Sequence, residues 1–433
     1  MNLDWHRLKA VVLESDDWGL CAWVPDEPAY QALEGAPAWR TEAGRLYGRS
    51  TLERAEDVGR LEQTLCSFRG GDGFPPVLQA NTVMATPDFA RLTPPGFACE
   101  ELPLVAYPEF PSRWARPGLG AAVRQAVAAG VWWPELHGLL HLPRAAWLAA
   151  LRRGAPDARR ALEQQCLVCE AVEASAEYDP AEPPALRRES ITRAVGGFRA
   201  CFGRAPGSLC APDYLWDEAL EADAERLGVT IVQGRAEQRP HPFPRLRHLL
   251  HRYRWPDARG RRFYMPPRIA FEPRGGRDPS GRVGVGAAHR AARRAWVRAQ
   301  PAIVSTHRLN YAHLDPAWME AGCAALRDLL ALLAADGATF LTDAEARALK
   351  ERSWSVRPVG ERGALLRYHG APRQAVRFPA PPGVADVALA QPGGSARITL
   401  ERPAAAAAAG VETGVEVVAE VDPGAYLLEW RRA

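Results

Sequence analysis

His137-Gly138-Leu139-Leu140-His141 sets two imidazoles four residues apart, directly after the apolar and aromatic stretch Trp132-Trp133-Pro134-Glu135-Leu136. On one helical turn, side chains at i and i+4 project from the same face and can converge on a single ion. Ser15-Asp16-Asp17-Trp18-Gly19 follows another apolar run, residues 8–13, and Ser305-Thr306-His307 closes a third that begins at Pro301. Polar groups just past the C-terminal ends of apolar strands are the usual active-site supply of a barrel or an open α/β sheet. Two histidines, an acidic pair and a third histidine in such places point to a metal-dependent hydrolase.

Working outward, short apolar strands alternate with helical patterns, which argues for an α/β layer structure. Strands are expected at 8–13, 76–80, 130–135, 208–211, 229–232, 262–265, 301–305 and 338–341. Helices are expected at 50–65 (capped by Ser50 or Thr51), 156–173, 187–201, 286–297 and 316–334. Residues 102–118, rich in proline and aromatics, read as an ordered loop over the core. Beyond Trp354 the composition shifts to short strand candidates between Pro- and Gly-rich turns: 363–368, 375–378, 384–390, 396–400, 411–421 and 426–430. The expectation is a catalytic unit over 1–350, with insertions at about 20–130 and 235–300, followed by a small β-sandwich-like domain over 351–433.

A chain of 433 residues exceeds the roughly 250–300 at which single domains usually split. A net charge of +3 is small for this length and does not ask for a nucleic-acid partner. The most basic section, 241–262, carries no recognised nucleic-acid motif. No leader pattern and no apolar run of roughly 20 residues is visible, so no transmembrane segment is expected and a cytoplasmic location is the default. The eight cysteines form no secreted framework. Cys166 and Cys169 fall in a helical pattern and are read as helix packing.

Asp17, His137 and His141 offer one carboxylate and two imidazoles to a divalent ion, a mixed N/O set that suits Zn2+ first and other first-row metals next. Asp16 is placed to act as general base, and His307 as the acid that protonates a departing amine. Each has a plainer alternative: Asp16 a cap, His141 a core histidine, His307 a surface loop residue. Aromatic faces near these strand mouths can stack on sugar rings, with Trp18 and Tyr214 the better groove candidates.

On these motifs the chain resembles the NodB-like polysaccharide deacetylases, carbohydrate esterase family four and its relatives. Asp16-Asp17 is similar to that family's first motif, in which the first Asp is base and the second binds metal. The 137–141 segment resembles its His-Ser/Thr-x-x-His motif, with Gly138 in the hydroxyl position. Cys210-Ala211-Pro212-Asp213-Tyr214 is similar to the third motif without its Arg, and Ser305-Thr306-His307 to the last with Ser in place of Leu. The resemblance implies an irregular seven-stranded (β/α) barrel. It implies hydrolysis of an N-acetyl group on an N-acetylated glycan or amino-sugar precursor, with Pro212, Asp213 and Tyr214 along the substrate groove. Arg268 or Arg308 is expected to replace the missing partner of Asp16. Another metal-dependent amidase or glycan hydrolase, a glycan-binding protein without turnover, a structural partner that assembles through its β domain, and a homo-oligomer all stay open.

Overall fold

The computed structural model describes residues 3–92, 102–170, 172, 176–239, 257–276, 280–391, 396–401 and 415–432. Most of the basic 241–262 section and the 404–409 alanine run lie outside these. Among the described residues, nine parallel strands make up the main sheet. They are β1 (Ala10–Trp18), β2 (Leu78–Thr82), β3 (Trp132–Leu136), β4 (Ser208–Leu209), β5 (Ile231–Val232), β6 (Arg262–Tyr264), β7 (Arg268–Ala270), β8 (Ala302–His307) and β9 (Thr339–Leu341). Eight run parallel in the order β7-β8-β1-β2-β3-β4-β5-β6, while β9 pairs in parallel with the first residues of β1. A strand at Asp257–Arg259 adds antiparallel to β6.

The two ends of this path, β6 and β7, are separated in sequence only by Met265-Pro266-Pro267. Four Cα steps reach no more than roughly 14 Å, so the sheet must curl until its edges nearly meet. Among the described residues no ladder joins those edges. Pro266 and Pro267 supply no N–H at the seam. Eight parallel strands thus stand where the resemblance implied seven. The extra one is β7, which the proline pair hides from a reading by periodicity.

β1 also differs from expectation. The strand does not stop at Leu13 but continues through Glu14-Ser15-Asp16-Asp17, all buried. A parallel central strand is covered on both faces, so these carboxylates are tolerated only because each has a partner there. Helices are close to their expected spans: Pro184–Phe202, Val285–Val297 and Pro316–Ala335. Two expectations fail. The 50–65 helix starts at Ala55, because Asp57 caps the Arg54 N–H (2.9 Å) and Ser50 and Thr51 stay outside. The 156–173 helix ends at Glu163, leaving Cys166 and Cys169 in the buried segment beyond it.

The described residues between 354 and 432 form two antiparallel sheets, of four strands and three, over one core that includes Leu366, Phe378, Val417 and Tyr426. They dock through Arg367, which pairs with Asp72 (2.8 Å) and Glu345 and donates to Phe340 O (3.1 Å). Arg357 adds Glu345 (3.2 Å) and Gly130 O (2.9 Å). Asp72 and Gly130 precede β2 and β3, so this contact lies at the opposite end of the barrel from the strand exits.

Candidate active site

Asp16 and Glu14 point to one side of β1, as the two-residue period requires. Asp17 should then point the other way. The β1–β2 register shifts between Ser15 and Trp18, and Asp17 takes φ 73°, a left-handed backbone that a non-glycine residue adopts only under constraint. This bulge brings Asp17 to the histidines. Its Oδ1 lies 3.3 Å from His137 Nε2 and 3.4 Å from His141 Nε2. Burial raises the Asp17 carboxyl's pKa, yet the two imidazoles hold it well below the usual carboxylate range. His137 turns its other nitrogen, Nδ1, to Cys210 O at 2.8 Å, which leaves Nε2 facing Asp17. The donor set fits a divalent cation: one oxygen and two nitrogens, all within 4.8 Å of one another.

The 137–141 segment is not a helical turn. Gly138 (φ 92°) and His141 (φ 56°) fold it around a carboxylate, with Glu177 accepting N–H groups from Leu139 (3.0 and 3.1 Å), Leu140 (3.1 Å) and His141 (2.8 Å). A Cβ on Gly138 would meet Glu177 Oε2 at 2.4 Å. The hydroxyl residue that the resemblance leads one to expect at this position has no room, and Glu177 does the positioning instead. Gly138→Ser is therefore expected to weaken metal binding by about 10-fold or more and to lower stability by about 1–3 kcal/mol. Zinc competition against a chelating dye, together with urea unfolding, reads both; an unchanged zinc affinity would dismiss the positioning role of the Glu177 cradle.

Asp16 is gripped by Arg268, with Nη1 to Oδ2 at 2.6 Å and Nη2 to Oδ1 at 2.9 Å, and by Asn81 Nδ2 at 2.6 Å. Burial works against its charge, but the guanidinium keeps its pKa far below the ordinary range. Arg268 also donates to Glu14 (2.5 Å) and to the Tyr214 hydroxyl (2.7 Å). Of the two candidate partners, then, Arg268 meets Asp16. Arg308 instead pairs with Glu53 (3.0 Å), whose carboxylate holds the Gly19 N–H at the turn after β1.

His307, at the end of β8, faces Asp16 with Nε2 3.9 Å from Oδ2. Its Nδ1 is 2.5 Å from Glu272, and Asn310 donates to the other oxygen of that carboxylate (2.7 Å). Burial disfavours the imidazolium, but Glu272 outweighs it and the pKa is pushed up to about 10.

A cavity of about 650 Å³ opens in front of these groups, lined by Asp16, Asp17, His137, His141, His307 and, among others, Asp213 and Tyr214. Trp18 is not in it. The indole is buried, donates to Ser15 Oγ (2.9 Å) and packs edge-on to Trp132, so it is a packing residue and not a groove residue. Pro212 is buried beside Gly138 rather than along the cavity. Asn81, Glu177 and Glu272 escaped the sequence reading as site residues. Asn81 alone left a signal, as a polar residue at a strand exit, while Glu177 and Glu272 lie in loops without periodicity.

Beneath Asp16, Glu14 and Asp343 lie close enough for their charges to repel, and Asp343 accepts from Gln79 Nε2 (2.7 Å). Burial raises both carboxyls, Glu14 strongly and Asp343 to about 6. The folded state thus holds the Asp343 proton above its ordinary value of 3.8, so stability falls as pH rises from there to about 6, and the loss is complete above it. Asp343→Asn is expected to stabilise the protein by on the order of 1–3 kcal/mol at pH 7.5 and by little at pH 4. Urea unfolding at the two pH values checks this; an equal change at both would refute it.

No family model and no curated protein matches the chain. Among solved structures, it is similar to a protein of Mycobacterium smegmatis described as a polysaccharide deacetylase. That match has 13% identity, covers 79% of this chain and 91% of that one, and has a TM-score of 0.39. A carbohydrate deacetylase called Agd3 gives 10% identity, 97% and 65% coverage and a TM-score of 0.41. The 4-alpha-glucanotransferase of Thermococcus litoralis gives 9%, 78% and 38%, with 0.37. With scores this low, and a glucanotransferase among the neighbours, the chemistry has to be read from the side chains.

Proposed function

We propose that this chain is a metal-dependent hydrolase that removes an N-acetyl group from an amino sugar of a glycan or glycan precursor. The observation that carries the reading is the convergence of Asp17 with His137 and His141 from two distant strand exits onto one point. Those three residues would hold a divalent ion, Zn2+ first. When bound, it would polarise the acyl carbonyl and acidify a water. Asp16, kept ionised by Arg268 and oriented by Asn81, takes the proton of the attacking water. The water oxygen bonds to the carbonyl carbon, the carbon–nitrogen bond breaks, and His307 Nε2 gives its proton to the leaving nitrogen. Glu272 fixes the His307 ring through Nδ1 and keeps the imidazolium populated at neutral pH. Acetate and a free amine result.

Cys21, Cys66, Cys166, Cys201, Cys210 and Cys323 form no disulfide among the described residues, which supports a reducing, cytoplasmic setting. No helix among the described residues is long and apolar enough to cross a membrane. The test is metal analysis combined with acetate release from N-acetylated oligosaccharides. Bound metal, activity lost to a chelator and activity restored by zinc are expected. Metal without acetate release from any N-acetylated sugar would reject the enzymatic reading, and an inability to bind metal would reject the centre itself.

A further inference from the structure

The excursion after Gly19 gives the cavity a wall that the metal centre does not need. The chain folds there into the short helices Glu27–Leu33, Pro37–Arg40 and Glu42–Tyr47. The last two close onto Trp39 where a side chain has no room. A Cβ on Gly44 would stand 2.3 Å from Ala38 O, and one on Gly48 2.7 Å from the Trp39 ring. Trp39 Nε1 donates to Gly48 O (3.1 Å) and its ring packs edge-on to Trp23 (5.4 Å), which stacks on Tyr47 (6.0 Å, 13°). Ser50 N–H donates to Tyr47 O at 2.7 Å and ties down the backbone just beyond. Tyr47 is thus held from behind, and both it and Trp23 line the cavity.

The Tyr47 ring meets the His307 ring edge-on at 6.3 Å. Among the described residues, no group hydrogen-bonds its hydroxyl. Both Glu272 oxygens are already taken, by His307 Nδ1 and Asn310 Nδ2, and Asp17 Oδ1 faces the two imidazoles of the metal centre. Burial, followed by the charges of Glu272 and Asp17, pushes the phenol's pKa well above its ordinary value, so the hydroxyl keeps its proton and can donate. Those two acids stand around the reacting centre. Their reach to the hydroxyl places it over that centre and not out at the rim.

Resting on the hydrolase reading above, we infer that Tyr47 is a specificity-determining residue whose hydroxyl donates a hydrogen bond to a sugar oxygen vicinal to the departing nitrogen. His307 Nε2 gives its proton to that nitrogen, so the carbon that carries the nitrogen lies beside the His307 ring, next to the phenol. In a 2-acetamido sugar the carbons on either side of this one, carbon 1 and carbon 3, both bear oxygen. These are the first acceptors outside the reacting amide. A ligand without an oxygen there would shut the hydroxyl away from water with nothing to accept its proton, which costs more than the bond itself contributes. The site therefore reads the sugar beside the amide, while the metal donors and Asp16 read the acetyl group.

The test measures kcat/KM for acetate release by the zinc-loaded full chain and by its Tyr47→Phe variant. The probes are the methyl β-glycoside of N-acetylglucosamine and two analogues, one lacking the oxygen at carbon 3 and the other that at carbon 1. Phenylalanine keeps the ring against Trp23 and His307, so the wall persists. Tyr47→Phe is expected to lower the value for the methyl glycoside by about tenfold, yet to stay within about twofold of the unaltered protein on at least one analogue, which has already lost the acceptor. Equal losses on all three probes would assign the effect to ring packing and overturn the inference, as would an unchanged value on the methyl glycoside. Both of those results leave the hydrolase reading standing. No acetate from any probe, with zinc bound, overturns the hydrolase reading and this inference with it.

Discussion

Arg268→Met is expected to lower stability by about 3–5 kcal/mol and to cut kcat by about 100-fold or more. The guanidinium is 3% exposed and bonds Glu14, Asp16 and the Tyr214 hydroxyl at once. Its removal takes from the buried Asp16 carboxylate the cation that grips both its oxygens, and the poorly compensated charge, rather than the loss of an attraction, sets the size of the effect. Asp16 then takes up a proton and cannot accept another. Arg308→Met supplies the comparison, because it breaks a pair buried just as deeply with Glu53 but does not touch Asp16. Both variants are expected to lose stability, and only Arg268→Met to lose turnover per folded molecule. Equal turnover in the two, measured on the folded fraction at matched zinc occupancy, would remove Arg268 from the site.

Asp16→Asn separates the proton acceptor from the metal donors. A general base contributes about 10²–10⁴-fold, so acetate release is expected to fall by that factor while zinc stays bound, since the donors Asp17, His137 and His141 are intact. The amide oxygen can still accept from Asn81 Nδ2 and Arg268 Nη2, which share Oδ1 in the wild type, so the fold should persist. Retention of more than about a tenth of the wild-type rate would rule out Asp16 as the base. Loss of zinc instead would point to the other possible donor group, Asp16 with His137 and Cys210.

The parts of the site that read clearly from sequence are those whose spacing is local. His137 and His141 stand four apart, and Asp16 and Asp17 are adjacent at the end of an apolar run. Even there the geometry differs from the expected route, because the pair converges through two positive-φ residues around Glu177 and not on a helical face. Residues that act from afar left little trace. Arg268 could be named as a candidate but not chosen over Arg308, since the choice depends on β7 lying beside β8 and reaching back to β1. Glu272 and Glu177 sit in segments whose composition resembles any loop. Trp18 misled because a strand exit and a buried strand end look alike until the bulge at Asp17 is known. The seam at Pro266-Pro267 hid a strand for a related reason, as prolines read as a break when seen along the chain and as an edge when seen across the sheet.

Arg367 is fully buried between Asp72 and Glu345, and it belongs to the C-terminal sheets, not to the barrel. Burial opposes the Glu345 charge, yet the Arg367 and Arg357 guanidiniums hold its pKa below the ordinary value. What looks along the chain like an attached accessory is thus a counterion for the barrel's floor. A shortened chain ending before Trp354 would leave those acids without their cations and bare Phe74 to water, and acid conditions that neutralise Glu345 would loosen the same seam in the intact protein.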